Sequence, residues 1–246
     1  MKRFEKELQA AKDAAREAGL YLNKRDCIHV DSNNGKDIKL SADKESERII
    51  ISSIESFGYS ILSEEYGLID KGTKICWIVD PLDGTMNYYK GLVDLSCVSI
   101  ALWNDNIPIL GVVYNYRKDE LFWGLEGQGS FLNGNVITPS KVRDLSQAVL
   151  GTGFPLNREY DDESLMAFIK DIQRFKKIRM LGTAALMATF VACGRIDVYM
   201  EENVMLWDIA AAIAVVNAAG GEFEIKINDD YKCVCKCFAN MSLVQK

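Results

Sequence analysis

The sequence predicts a mixed α/β fold, with an α+β half followed by an α/β half. An amphipathic helix opens the chain, a run of short strands broken by turn residues occupies residues 95–132, and strands and helices alternate beyond Pro139. The N-terminal half is expected over 1–138 and the C-terminal half over 139–246, with the boundary within 134–146. No internal repeat, low-complexity tract or flexible linker separates the halves, so they are expected to pack as one body.

Phe4, Leu8, Ala11, Ala15, Ala18 and Leu22 recur at helical spacing, which predicts a helix ending near Gly19 to Asn23. After a loop rich in Asn, Gly and Asp, Ser41 or Asp43 can cap a second helix that Glu47, Ile50, Ile51 and Ile54 carry to about Gly58. The segment ICWIVD, Ile75 to Asp80, is short, apolar and β-branched, and reads as a buried strand ended by Pro81. From Leu95 to Leu132, strands broken by NDN, YRKDE and EGQGS predict an antiparallel meander. Further on come strands at Ala148 to Gly151, Lys177 to Met180 and Ile196 to Met200, and helices near Glu163 to Phe175, Ala184 to Cys193 and Asp208 to Ala219. Closing strands run from Glu222 to Val244.

Composition excludes several function classes. Of the 246 residues 48% are hydrophobic, enough to bury a large core, and the net charge of −6 with dispersed Lys and Arg offers no basic stripe for a nucleic-acid polymer. No apolar stretch approaches the roughly 20 residues needed to span a bilayer, and the first helix lacks a secretory apolar block, so a cytoplasmic chain with no membrane partner is expected. Seven Cys, at 27, 76, 97, 193, 233, 235 and 237, suit reduced thiols in apolar runs. Cys233, Cys235 and Cys237 alternate as a strand does and lack the spacing of a zinc knuckle. His29 is the only histidine, and no paired Ser or Cys nucleophile accompanies it, which excludes a triad. Neither a G-x-G-x-x-G nor a Walker A segment appears.

The chemistry lies in the carboxylates. Asp80-Pro81-Leu82-Asp83-Gly84-Thr85 puts two Asp three residues apart where a strand ends, and the Leu82 carbonyl between them adds a third hard oxygen of the kind Mg²⁺ requires. Gly84 and Thr85 open a short helical stretch whose free N–H groups attract phosphate. The same pattern is also an ordinary turn. Asp208, before an apolar helix, can be a cap, and the segments Ser63-Glu64-Glu65 and Asp37 to Asp43 can be solvated loops.

Taken together these segments resemble the inositol monophosphatase family. DPLDGTMNY at Asp80 to Tyr88 matches D-P-[LI]-D-G-T-x-N-[FY], and Trp207-Asp208-Ile209-Ala210-Ala211 through Ala219-Gly220-Gly221 matches W-D-x-A-[AG] … A-G-G. Glu64-Glu65 stands for the upstream E-E pair, and Asp37 to Asp43 for D-x-x-[TS]-x-x-D. Arg179 to Asp197 is similar as well, so the resemblance spans roughly residues 5 to 240 in the family's order.

The resemblance implies a five-layer αβαβα sandwich of the inositol monophosphatase and fructose-1,6-bisphosphatase type, and metal ligation by Glu64, Asp80, the Leu82 carbonyl, Asp83 and Asp208. Two or three Mg²⁺ per site are implied. Carboxylates converging within about 4 Å repel by several kcal/mol per pair at an effective dielectric near 20, so bound cations make the cluster tolerable. Two ions roughly 4 Å apart activate a water and neutralise the leaving alkoxide. The family further implies that Thr85, hydrogen-bonded to Asp43, orients that water with Glu64 as a further catalytic carboxylate, that Asp37 supports this network, and that Asp83, Gly84, Thr85, Glu201 and Asp208 meet substrate. Glu201 would accept from a cyclitol or sugar hydroxyl, or be an exposed loop residue. The implied activity is hydrolysis of a small phosphate monoester, with inositol monophosphate first. The alternatives are 3'-phosphoadenosine 5'-phosphate, fructose 1,6-bisphosphate, histidinol phosphate or another sugar phosphate, and, in a different class, a non-catalytic binder. A homodimer is implied too. Departures fall at the substrate entrance, where Tyr88-Tyr89-Lys90-Gly91 replaces the family's Phe-Val-His-Gly, and in the loop reduced to Asn228-Asp229-Asp230.

Overall fold

The computed structural model describes residues 3–24, 30–34, 37–154 and 161–244, with the backbone alone for 31–34 and 37–39. His29 and Cys27 lie outside the described residues, as does the side chain of Asp37. In chain order the elements are α1 (Glu5–Lys24), β1 (Val30–Asn34), β2 (Asp37–Leu40), α2 (Ser41–Ile54), β3 (Ser60–Ser63), β4 (Gly67–Ile69), β5 (Ile75–Asp83), α3 (Thr85–Lys90), β6 (Cys97–Asn104), β7 (Ile107–Asn115), β8 (Glu120–Leu125), β9 (Gly129–Leu132) and β10 (Asn135–Ile137). There follow β11 (Val149–Gly151), α4 (Asp162–Ile172), β12 (Lys177–Arg179), α5 (Ala184–Ala192), β13 (Val198–Met205), α6 (Leu206–Ala218), β14 (Glu222–Ile227), β15 (Lys232–Phe238) and α7 (Met241–Val244).

These build an eight-stranded sheet in the order β10-β9-β8-β7-β6-β5-β3-β4, a five-stranded sheet in the order β12-β11-β13-β15-β14, and a β1-β2 hairpin. Five layers result. The helices α1 and α2 cover one face of the large sheet through Leu8, Ala11, Ala15, Ile50 and Ile54 against Trp77, Val79, Ile100 and Val112. Between the two sheets lie α5 and α6, hydrophobic all round, as a helix buried on every side must be. The outer layer is α4, whose Phe168 and Ile172 face Met200 and Val234 across a cleft. Among the described residues, no helix is long and apolar enough to cross a membrane.

Several elements differ from the sequence expectation. The loop expected before the second helix contains the β1-β2 hairpin. Short strands β3 and β4 were not signalled, and β3 runs parallel to β5, so the large sheet is mixed where an antiparallel one was expected. Pro81 does not end β5. The strand passes through a bulge in which Asp80 pairs with Ser99 and Asp83 with Cys97, so Pro81 falls at an irregularity that needs no ladder donor. The last described element is the short helix α7, where a strand was expected.

Close packing beneath α6 fixes where its first turn, and with it Asp208, can lie. Gly111 and Gly124 are directly paired in register across β7 and β8. They form a floor without side chains, on which α6 rests so closely that a Cβ at Gly111 would lie 2.1 Å from the Ala211 carbonyl oxygen. Three polar contacts fasten the helix there: Ser99 Oγ donates to Trp207 O at 3.4 Å, Trp103 Nε1 to Ala210 O at 3.2 Å and Ser130 Oγ to Val215 O at 2.6 Å. Arg195, just beyond α5, grips Glu120 of β8 through two nitrogens at 2.8 and 2.6 Å. Gly111→Ala should therefore destabilise the protein by about 1–3 kcal/mol, the range for overpacking a full core. Denaturant unfolding measures this, and an unchanged midpoint would show that α6 is free to lift.

Candidate functional site

The site begins where β5 emerges between β3 and β6. Asp80 is 2% exposed and Asp83 7%, unusual burial for carboxylates. Asp80 Oδ1 accepts the Leu82 N–H at 2.9 Å, which closes the turn back on itself. From α2, Ser46 Oγ donates to Pro81 O at 2.8 Å and holds the same turn from outside. Gly84 then has φ of +83°, and a Cβ there would sit 2.6 Å from the Leu95 carbonyl oxygen, so only glycine lets the chain swing into α3.

Thr85, the first residue of α3, places its Oγ1 3.2 Å from Asp43 Oδ1 and 3.0 Å from Leu82 O. Asp43 is not the cap residue of α2. It stands one turn in and reaches back, Oδ2 accepting the Leu40 N–H at 2.7 Å. Burial pushes its carboxyl up to about 7, with Glu65 adding repulsion, while the Leu40 amide and the Thr85 hydroxyl oppose the rise. Glu64 occupies the turn between β3 and β4, and its N–H donates to Val79 O at 3.3 Å, beside Asp80. Behind that turn, fully buried Glu47 accepts the Glu65 N–H at 3.1 Å. In the sequence Glu47 was one member of a helical stripe; a carboxylate among inward-facing isoleucines was the available signal.

Asp83 is seated on the N-terminus of α5. Its Oδ2 accepts from the Thr183 hydroxyl and from Ala185 N at 3.1 Å, and its Oδ1 accepts Ala184 N at 3.2 Å. The Cys97 thiol lies 3.6 Å away. None of these partners was singled out in the sequence, although Gly182-Thr183 before an apolar run is a helix-start signal. Asn87 ties the two segments together, with Nδ2 2.8 Å from Leu95 O and 2.7 Å from Leu181 O. Asp208 is the third residue of α6 and not its cap: Oδ2 accepts the Met205 N–H at 3.1 Å.

Electrostatically, Glu64, Asp80, Asp83 and Asp208 share one neighbourhood. Asp80 is pushed far above the usual carboxylate range, first by burial and then by Glu64, Asp83 and Asp208. Asp208 is raised by burial, then by Glu64 and Asp83. Asp83 rises only to about 6, because the Thr183, Cys97, Ala184 and Ala185 donors counter its burial. As placed, Asp80, Asp83 and Asp208 are each turned to their own backbone or hydroxyl donors. Among the described residues, no three His, Cys, Asp or Glu side chains close around one point as a finished ion cage. Glu64, Asp80, Asp83 and Asp208 are coupled through their shared field.

Asp83, Glu201 and Asp208 line a cavity of about 380 Å³ together with Gly153, Thr183, Ala184 and Asn203. Its described lining residues include no Lys, Arg or His. Asp43, Glu64, Asp80, Leu82, Gly84 and Thr85 are not part of that wall. Glu201 is partly buried on β13 rather than in an exposed loop, and Tyr199 donates its hydroxyl to Glu201 Oε2 at 2.9 Å.

Comparison with known proteins identifies the company this arrangement keeps. The profile of the Inositol monophosphatase family matches residues 3–225. A protein of Xylella fastidiosa named Nus factor SuhB is 36% identical over 215 residues, 85% of this chain and 78% of that one. The fructose-1,6-bisphosphatase/inositol-1-monophosphatase of Thermotoga maritima is 36% identical over 196 residues, 78% of this chain and 73% of that one. Among solved structures, an inositol monophosphatase from Anabaena superposes with a TM-score of 0.85 at 30% identity, covering 99% of this chain and 97% of its own.

The raised carboxyls give the protein a testable pH profile. An acid with a raised pKa in the folded state holds its proton there when the unfolded chain has already lost it, so stability falls as pH climbs between the two values. With Asp83 near 6 and Asp43 near 7, against roughly 4 unfolded, the window is about pH 4 to 7. In the presence of a chelator, unfolding free energy should rise on acidification from pH 7.5 to about 5, on the order of 1 kcal/mol per group. Stability that instead climbs from pH 5 to 7.5 would contradict this electrostatic description.

Proposed function

This chain belongs to the inositol monophosphatase family, and we propose that it is a Mg²⁺-dependent phosphatase of small polyol monophosphates. The observation that carries the reading is that Glu64, Asp80, Asp83 and Asp208 share one field, in which burial first and mutual repulsion second push the Asp80 and Asp208 carboxyls up. A site that only needed shape would not bury acids against acids.

The donor set fits a hard divalent cation. Glu64, Asp80, Asp83, Asp208 and the Leu82 carbonyl would hold Mg²⁺, all through oxygen. When bound, the ions supply water activation and charge neutralisation at the phosphoryl and leaving oxygens. The chain's own groups do the rest. The Thr85 hydroxyl donates toward Asp43 Oδ1, which leaves its lone pairs to accept a hydrogen from the attacking water and fix its direction. With its carboxyl near 7, Asp43 can hold or release that network's proton at working pH. Glu201 accepts a hydrogen bond from a substrate hydroxyl across the cavity.

Within the family's chemistry, the described lining of the cavity favours monophosphates. Among the described residues Asp83, Glu201 and Asp208 face it and no cationic side chain does, so against this wall a second phosphate, as on fructose 1,6-bisphosphate or 3'-phosphoadenosine 5'-phosphate, would meet repulsion. A second reading, a binding protein that keeps the fold without turnover, draws on relatives such as the Xylella protein named Nus factor SuhB.

Phosphate release from inositol, sugar, histidinol and nucleotide phosphates with Mg²⁺ decides between them. Turnover should be highest on inositol monophosphates, vanish in chelator and fall when Ca²⁺ replaces Mg²⁺, since the larger ion relaxes the octahedral geometry. Absence of release from every substrate would favour the binding reading. Asp80→Asn is the cleanest variant, because Asp80 makes one backbone hydrogen bond whereas Asp83 anchors α5. It should lose at least about a thousandfold in kcat yet unfold at a higher temperature than the parent in chelator, one member of a repelling set being neutral. Retained activity, or a lower unfolding temperature, would mark Asp80 as structural.

A further inference from the structure

Glu201 and Tyr199 are two residues apart on β13, so their side chains share the face turned toward the interior, opposite Cys235 and Cys237 of β15. The tyrosine ring is fully buried in the core between the sheets. Its hydroxyl is therefore a fixed point, and it lies 2.9 Å from Glu201 Oε2. On the other side stands Gly153, where an added Cβ would fall 2.7 Å from Glu201 Oε1 and 2.9 Å from Oε2. The carboxylate thus sits between an immovable donor and a backbone that any side chain would close off. Just after it β13 bulges, with Asn203 at φ of +59°, which turns the chain toward Met205 and Asp208.

We propose that Tyr199 is a positioning residue for substrate choice: its hydroxyl, with the bare backbone of Gly153, aims the Glu201 carboxylate into the cavity, so that substrates bearing a hydroxyl in reach are preferred over those with none. The inference rests on the reading of Glu201 as the hydroxyl acceptor. Tyr199 itself touches no reacting atom. Its phenol stays protonated, because burial and the neighbouring Glu201 raise it well above the usual tyrosine range, and so it donates at any working pH. A carboxylate already held by this donor when substrate arrives spares part of the ordering cost of binding.

The test compares kcat/KM for inositol 1-phosphate with that for p-nitrophenyl phosphate, an ester with no free hydroxyl, in the Mg²⁺-loaded enzyme. Tyr199→Phe should lower the ratio of the two by about tenfold, mainly through KM for inositol 1-phosphate, the size expected for one well-placed hydrogen bond. The Mg²⁺ concentration for half-maximal rate should stay as in the parent. Glu201→Gln should lower the same ratio, and the double variant should lose no more than the larger single loss, because both act through one carboxylate. Gly153→Ala gives an independent handle from the opposite side and should lower the ratio as well, which keeps the test alive if the phenylalanine variant folds poorly. A parental ratio in Tyr199→Phe beside a lowered one in Glu201→Gln overturns the positioning role and leaves the Glu201 reading standing. A parental ratio in Glu201→Gln removes Glu201 from the substrate subsite, and the proposal for Tyr199 falls with it.

Discussion

Carboxylates repel, and burial magnifies the repulsion. In this protein three separate segments, the β3–β4 turn, the end of β5 and the first turn of α6, bring Glu64, Asp80, Asp83 and Asp208 into one field with Asp80 and Asp83 almost wholly out of water. Every other feature of the region answers that constraint. Asp83 is quieted by the α5 N-terminus, Asp208 by the Met205 amide, Asp80 by the Leu82 amide, and Asp43 shares a hydrogen with Thr85. These bonds are single and partial for Asp80 and Asp208, whose carboxyls remain pushed up, so charge compensation from outside the chain is what the arrangement asks for.

Such a field demands rigid holders, and the fold supplies them by close approach rather than by long side chains. The paired glycines of β7 and β8 let α6 sink onto the large sheet, and with it Asp208; Gly84 and Gly182, at φ of +83° and +69°, let the β5 turn and the α5 start come together around Asn87. The five-layer order has a functional consequence. With α5 and α6 sandwiched between two sheets, their first turns lie where β5 and β13 also finish, and there Asp83 and Asp208 line one cavity.

Much of this architecture could be read in the sequence where a physical period was long enough to register. The spacing of Leu8, Ala11, Ala15 and Leu22 specifies α1, the apolar run after Trp207 specifies α6, and turn residues punctuate β6 to β9. Four-residue β3, Ser60 to Ser63, carries too few side chains to show a period, and the hairpin of β1 and β2 is largely polar. Pro81 is a strand breaker in general, yet here it sits in a bulge, a tertiary circumstance invisible to propensity. The candidate acids were recognisable by type and spacing, and by resemblance to a family, but apart from the Thr85–Asp43 hydrogen bond that the resemblance implied their partners were not. That Asp83 rests on Thr183 across 100 residues of sequence and that Glu47 backs the Glu64 turn are both consequences of packing between elements. Spacing says which acids can converge, and the surrounding donors decide which way each one turns.

If repulsion among these acids is the organising constraint, relieving it must displace protons. Calorimetric titration of Mg²⁺ into the protein at pH 6.5, repeated in buffers of different ionisation enthalpy, counts the protons released as ions bind. Net proton release is expected at pH 6.5, and less of it in Asp80→Asn. Binding of Mg²⁺ with no proton released at any pH, or no binding at all, would contradict it.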